Sequence, residues 1–243
     1  MPALVEADDL GLYVVKLRGA AQGAKALVAE LVAGELARAA GLLVPEIVLV
    51  DVDAKLAESE PDPELAAPLE ASAGLNLGLD YLPGSITFDP VARLAPDATT
   101  ASRLVLFDAF VTNVDRTARN ANLLQWHSRL WLIDHGASLY FHHGWRDDDR
   151  LDGVADVFAE SADHVLLRWA SELDAAAAFL AGVLTEPLLE RGVAEIPEAW
   201  LDPHDGFADV AAHRAAYVSW LRERVVAMPV YLEEAKRARS RRV

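Results

Sequence analysis

Asparagine is scarce in this chain, and where it falls constrains the rest. There are four in 243 residues, and three lie within ten positions: Asn113, Asn120 and Asn122. The stretch reads Thr112-Asn113-Val114-Asp115-Arg116-Thr117-Ala118-Arg119-Asn120. A turn rich in Asp and Asn is one account of it, because these side chains bond locally to backbone and tolerate turn conformations. The residues just beyond it demand more. Leu123 to Trp126 and Leu130 to Ile133 read as short apolar strands joined by His127-Ser128-Arg129, a hairpin. The second strand runs directly into Asp134-His135-Gly136. A carboxylate at the end of an apolar strand is costly to bury without a partner.

Composition narrows the class. Apolar residues make up 53%, so the chain folds around a core. Its length suits one large domain or two closely joined lobes. No apolar run approaches the roughly 18–20 residues of a membrane span. The start, MPALVEADDLG, lacks the basic region and apolar stretch of a secretory leader. With no cysteine there are no disulfides or thiolate metal sites, and a cytoplasmic setting is expected. The net charge of −16 repels phosphate backbones and anionic headgroups. Neither nucleic acid nor a membrane is therefore expected as the main partner. The basic tail from Lys236 to Arg242 reads as a helix C-terminus whose cations offset the dipole, with a docking or nucleic-acid role as the other reading.

Along the chain, Leu12 to Leu17 is expected as a strand, Gly19 to Gly23 as a loop and Ala24 to Ala40 as a helix, ended by Gly41 with Pro45 beyond. Ile47 to Val52 is a short strand. Asp53 to Ala73 reads as an irregular surface excursion, and Leu75 to Leu82 contains a strand leading to the turn Pro83-Gly84. Thr100 to Val111 is a helix with Leu104, Phe107, Phe110 and Val111 on its apolar face. From about Asp147 the pattern is helical, with an Ala-rich run from Leu173 to Leu184 and a long segment from Phe207 to Arg239. This order predicts an α+β, bilobal fold in a single domain over 1–243: a small strand and helix lobe over about 1–82 and a larger, mostly helical lobe over 83–243. A cleft between two such parts is a common ligand site.

The chemistry lies in spacing. Asp115 and Asn120 stand as do the aspartate and asparagine of a kinase catalytic loop: the first accepts the proton of an attacking hydroxyl, the second holds Mg²⁺ through its amide oxygen. In that template a hairpin leads to a second aspartate on Mg²⁺, the place of Asp134 here. Lysine is rare, and Lys16 ends the strand Tyr13-Val14-Val15. It reads either as a lysine that contacts phosphates or as an edge-strand lysine that discourages aggregation. Its glutamate partner should lie on the next helix. Glu35 has Arg38 three residues on; Glu30 has no cation at helical spacing, so Glu30 is expected to take Lys16. No glycine-rich loop precedes Lys16. Arg18-Gly19-Ala20-Ala21-Gln22-Gly23 either supplies N–H groups to phosphates, with Arg18, Gly19, Gln22 and Gly23 as candidates, or is an ordinary strand–helix turn. Asp80-Tyr81-Leu82 sits where adenine would meet the backbone between lobes, or simply ends a strand. His142-His143 lacks a third metal ligand at suitable spacing, and Trp126 and Trp131 are expected to pack the hairpin.

On these residues the chain resembles the HipA-like kinase family and, more distantly, the phosphoinositide 3/4-kinases. The resemblance covers about residues 10–140. It rests on Val15-Lys16, on Glu30-Leu31 with Leu36-Ala37-Arg38 and Gly41-Leu42-Leu43-Val44-Pro45, on Asn113-Val114-Asp115-Arg116 with Asn120, and on Leu132-Ile133-Asp134-His135-Gly136. It implies a kinase fold that binds ATP and Mg²⁺, with Asp115 as catalytic base, Asn120 and Asp134 as metal ligands and Lys16 as phosphate contact. The implied reaction moves the γ-phosphoryl group of ATP to a hydroxyl of an unknown protein or small-molecule acceptor, protein Ser/Thr first. The alternatives are an ATP-binding module without transfer, a small-molecule kinase or a nucleotidyl transferase. His135 departs from the usual Phe, and no A-P-E segment is recognisable.

Overall fold

The computed structural model describes residues 2–20, 23–91, 95–145 and 153–241. Four antiparallel strands come first: β1 (Pro2–Glu6), β2 (Leu12–Lys16), β3 (Ile47–Val52) and β4 (Gly74–Asp80), in the spatial order β1-β2-β4-β3. Lys16 pairs with Leu77 and Val15 with Gly78, so successive β2 side chains take opposite faces, and Val15 is buried. The edge strand β1 is not among the strands expected from the sequence. Its pairing with β2, from Glu6 opposite Leu12 to Pro2 opposite Lys16, is information that its own five residues do not carry.

Helix α1 (Ala24–Ala39) crosses this sheet with Leu27 through Gly34 all buried. A helix buried all round must be covered on several sides, and α1 is: β3, β4 and, from the helical part, α6 (Glu186–Ala194) pack against it. A Cβ on Gly34 would lie 2.5 Å from Ile47 Cδ1, so any other residue here requires the end of the Ile47 side chain to shift. The helix ends as expected at Gly41, with φ of 75°. The Leu42 N–H donates to the Ala37 carbonyl and the Gly41 N–H to Arg38, which satisfies the last turn.

The segment between β3 and β4 is more regular than its composition suggests. It folds into α2 (Lys55–Ser59) and α3 (Pro63–Glu70); Asp62 caps α3 by accepting from the Glu64 N–H, and Pro63 fills the first helical position. A second sheet, β5 (Ile86–Thr87), β6 (Leu123–Trp126) and β7 (Arg129–Leu132), carries the expected hairpin with a tighter turn. His127 and Ser128 alone form it, both at positive φ, and Arg129 already pairs with Trp126. Trp126 and Trp131 meet edge to face at 5.3 Å.

The helical part is centred on α4 (Ala98–Val111), capped by Asp97 and buried from Leu104 to Val111. Around it lie α5 (Leu173–Val183), α7 (Val210–Val226) and α8 (Met228–Ser240). The long C-terminal helix expected from the pattern is two helices, because Pro229 opens a new first turn after Ala227. Lys236 of α8 donates to Asp174 of α5 and to Glu233. The strand part and the helical part are tied together by Lys25 Nζ, 2.8 Å from Asp205, and by Trp200 Nε1, which donates to the Leu75 carbonyl. The fold is α+β and bilobal, a strand-rich lobe followed by a mostly helical one. No helix among the described residues is long and apolar enough to cross a membrane.

Candidate active site

Strand β2, helix α1 and the turn after β7 converge on Lys16. Its Nζ donates to Glu30 Oε2 at 2.6 Å and to Asp134 Oδ1 at 2.5 Å. Glu30 is fully buried on α1, and Glu35 lies instead beside Arg38, 3.8 Å away. Burial alone would raise the Glu30 carboxyl; the Lys16 ammonium and a contact from His135 Nδ1 at 3.4 Å pull it down to about 2. Burial alone would depress Lys16, and the two carboxylates outweigh it, so its pKa is raised. The ammonium is held charged.

Asp134 is not the buried carboxylate that its place after an apolar strand implies. Its φ of 58° turns the chain out of the strand, and its side chain is 51% exposed at the cleft. The residue turned inward is the next one: His135 is fully buried against Glu30. This histidine fills the place expected of Phe, and it ties the Asp134 turn to α1 through a polar contact.

The loop from Asn113 to Asn122 brings Asp115 to the same cleft. Asn120 Nδ2 donates to Asp115 Oδ2 at 2.7 Å, and Asn122 Nδ2 reaches the same oxygen at 3.4 Å. Asp115 is half-buried and Asn120 exposed. Lys16, Asp115, Asp134, Gly136 and Gly23 line one cleft of about 290 Å³, with Ala26 and Leu27 of α1 in its wall. The donors suited to a hard cation are oxygens. With its Nδ2 on Asp115, Asn120 has its amide oxygen left for a metal. Asp134 has the carboxylate oxygen that Lys16 does not use. Among the described residues no group of three or more His, Asp or Glu is arranged to hold a metal, and His142 instead lies buried 3.1 Å from the Tyr217 hydroxyl.

Backbone donors at the other expected contacts bond within the protein. The Arg18 N–H donates to Asn76 Oδ1, its guanidinium to the Ala73 carbonyl, the Gly19 N–H to Ser72 Oγ and the Gly23 N–H to the Ala20 carbonyl. These donors close a strand–helix turn on itself; Gln22 lies outside the described residues. The Asp80 and Tyr81 N–H groups donate to the Glu46 and Leu12 carbonyls. Asp80 and Leu82 line a separate groove with Pro45, Trp126 and Trp131. A larger groove of about 480 Å³ behind α1, between Ile47 and Leu188, contains Glu35 and none of the residues around Lys16.

Sequence reasoning missed what stands behind the loop. Arg116, Asp108 of α4 and His164 form a buried cluster in which Arg116 Nε donates to Asp108 at 2.6 Å and His164 Nε2 lies 2.9 Å from the same oxygen. A signal was present: an aspartate between Phe107 and Ala109 on an apolar helix face is rarely buried unless paired.

This geometry brings Lys16, Asp115 and Asp134 to one cleft, with Glu30 behind Lys16. The family model of the HipA-like kinases matches residues 1–224, and the chain belongs to the HipA-like kinase family. No curated protein matches it. Among solved structures, the Helicobacter pylori proinflammatory kinase CtkA is similar at a TM-score of 0.58 and 12% identity, covering 97% of this chain and 91% of that one. At that identity the likeness is one of fold.

Proposed function

We propose that this chain is an ATP- and Mg²⁺-dependent phosphotransferase that moves the γ-phosphoryl group to a hydroxyl, a protein Ser/Thr by analogy with kinases. It acts as one kinase domain whose lobes meet near Leu82 and Pro83. The observation that carries the reading is the shared cleft of Lys16, Asp134 and Asp115, with Glu30 behind it. Lys16, kept charged by Glu30, binds and orients phosphate oxygens. Asp115 orients the acceptor hydroxyl and takes its proton, with Asn120 and Asn122 fixing one of its oxygens. Asp134 and Asn120 would hold Mg²⁺, which neutralises developing phosphate charge when bound. Most of the catalysis is then positioning and charge stabilisation.

The test is calorimetric titration with ATP, with and without Mg²⁺, beside single-turnover transfer. Asp115→Asn should keep Mg-ATP affinity and lose transfer by about 10²–10⁴-fold, the typical share of a general base. Asp134→Asn should weaken the Mg²⁺-dependent part of binding itself. A wild-type chain that binds Mg-ATP and transfers nothing is a nucleotide-binding module. One that binds no nucleotide overturns the reading.

A further inference from the structure

Asp108 does not touch the cleft, yet its contacts bracket the residue proposed as the base. It is fully buried on α4. Its Oδ2 accepts from Arg116 Nε and from His164 Nε2, and its Oδ1 accepts from Asn113 Nδ2 at 3.2 Å. Asn113 stands two residues before Asp115 and Arg116 one residue after. The same Asn113 accepts the Asp115 N–H at 3.2 Å. Arg116 passes the hold onward: its Nη1 donates to the Asn122 carbonyl at 2.5 Å and to the Ile133 carbonyl at 3.4 Å, next to Asp134. The third donor comes from far along the chain. The Leu166 N–H donates to His164 Nδ1, which leaves the proton on Nε2, facing Asp108. Beside it the Val165 N–H donates to the Arg116 carbonyl.

A buried ion pair of this kind is weak evidence of stability, since well-packed apolar residues often serve as well. What an apolar cluster could not do is fix the loop on both sides of one residue by directional bonds. We infer that Asp108 is a positioning residue: by gripping Asn113 and Arg116, with His164 as third donor, it sets the place of Asp115 at the cleft. The inference rests on the phosphotransferase reading for its catalytic consequence, but the placement of the loop is testable without it.

The experiment compares wild type with Asp108→Asn and with His164→Phe and His164→Gln, since Asp108→Asn leaves Arg116 buried without its anion and can fail to fold. Turnover is expressed per ATP-binding site counted by calorimetry, which removes any loss of folded protein from the comparison. Asp108→Asn should lower it by about 10²-fold, as expected of a reacting group misplaced by an ångström. ATP affinity should stay within about threefold of wild type, because neither residue lines the cleft. His164→Phe should show a smaller drop in the same direction, and His164→Gln, which keeps a donor, should recover part of it. Hydrogen exchange should quicken over residues 112–122 and stay unchanged in α1. Unchanged exchange in that loop, or exchange quickened alike throughout the chain, overturns the inference. So does unchanged turnover per site in His164→Phe and any folded Asp108→Asn. If wild type transfers nothing, the phosphotransferase reading fails, and the exchange pattern alone decides whether Asp108 holds the loop.

Discussion

Two fully buried carboxylates stand on either side of the cleft, and each has one cation and one histidine. Glu30 of α1 takes Lys16 and His135; Asp108 of α4 takes Arg116 and His164. Their cations set them apart. Lys16 is a point charge on a flexible stem, partly exposed, and it already shares itself with Asp134. Arg116 is buried completely and spreads its planar fork over Asp108 and two backbone carbonyls. The first arrangement can give up one partner for an incoming phosphate without stranding a charge. The second has no solvent to fall back on and no partner to spare. On the proposed reading, one carboxylate keeps a cation ready to bind, and the other keeps a loop in place.

If that contrast is right, the largest effect comes from removing the arginine. Arg116→Ala leaves Asp108 charged, buried and short of its main partner, and breaking a buried pair in this way costs about 3–5 kcal/mol. Urea unfolding should show it as a midpoint shift with little change in slope. A loss below about 1 kcal/mol would mean that water or His164 compensates the carboxylate, and the distinction between the two clusters would collapse.

Acid comes next. Both carboxyls are pulled down to about 2, Glu30 from an ordinary 4.5 and Asp108 from 3.8. The unfolded chain therefore takes up the protons first as pH falls. Stability from Glu30 is complete above pH 4.5 and is lost toward pH 2, and that from Asp108 is lost from 3.8 down to the same limit. Each is worth on the order of 3 kcal/mol. Urea titrations of wild type and Glu30→Gln across this range should diverge most at neutral pH and converge at its acid end. Parallel curves would show that Glu30 is not held ionised by Lys16.

At pH 7 the same Glu30→Gln change should cost about 1–3 kcal/mol, the range for losing one side of a buried polar contact. That is less than for Arg116→Ala, because Lys16 keeps Asp134 and some solvent. Mg-ATP affinity should fall about tenfold, ~1.4 kcal/mol, as Lys16 leans fully onto Asp134. An affinity equal to wild type would place the proposed phosphate contact elsewhere.

The two clusters also differ in how far the sequence revealed them. The grouping of Asp115, Asn120 and Asp134 was legible because short spacings and a hairpin join them, Lys16 because lysine is rare and this one ends a strand, and Glu30 was separated from Glu35 by a local fact, the Arg38 three residues on. Asp108 and His164 lie 56 residues apart with nothing local to join them; only the polarity of one position on an apolar helix marked Asp108. The outward turn of Asp134 was hidden for a different reason. A positive φ at a non-glycine residue is set by what surrounds it, here Lys16 on one side and the buried His135 on the other. Strand β1 and the two-residue hairpin turn were likewise matters of pairing, and the break before Pro229 was local but outweighed by helical periodicity on both sides. The loop 18–23 and the connection 80–82 had two readings each, and the Arg18, Gly19, Gly23, Asp80 and Tyr81 N–H groups donate to protein acceptors.

The smallest effect belongs to the other glutamate of α1. Glu35 is one-third exposed, with Arg38 at 3.8 Å. Burial raises its carboxyl pKa; Arg38 opposes this, and Glu195 and Glu46 add to it. A carboxylate whose folded pKa is raised weakens the fold slightly once ionised, so Glu35→Gln should be neutral or mildly stabilising at pH 7, within about 0.5 kcal/mol, and the difference should fade on acidification. Because Glu35 faces the groove behind α1 and not the cleft, Mg-ATP affinity and single-turnover transfer should match wild type. The pair Glu30→Gln and Glu35→Gln thus tests one helix against itself: same residue type, same substitution, positions five apart. If Glu35→Gln abolished nucleotide binding while Glu30→Gln left it intact, the 2.6 Å contact between Lys16 and Glu30 would not be the one that readies the lysine, and α1 would have to turn before the site could bind.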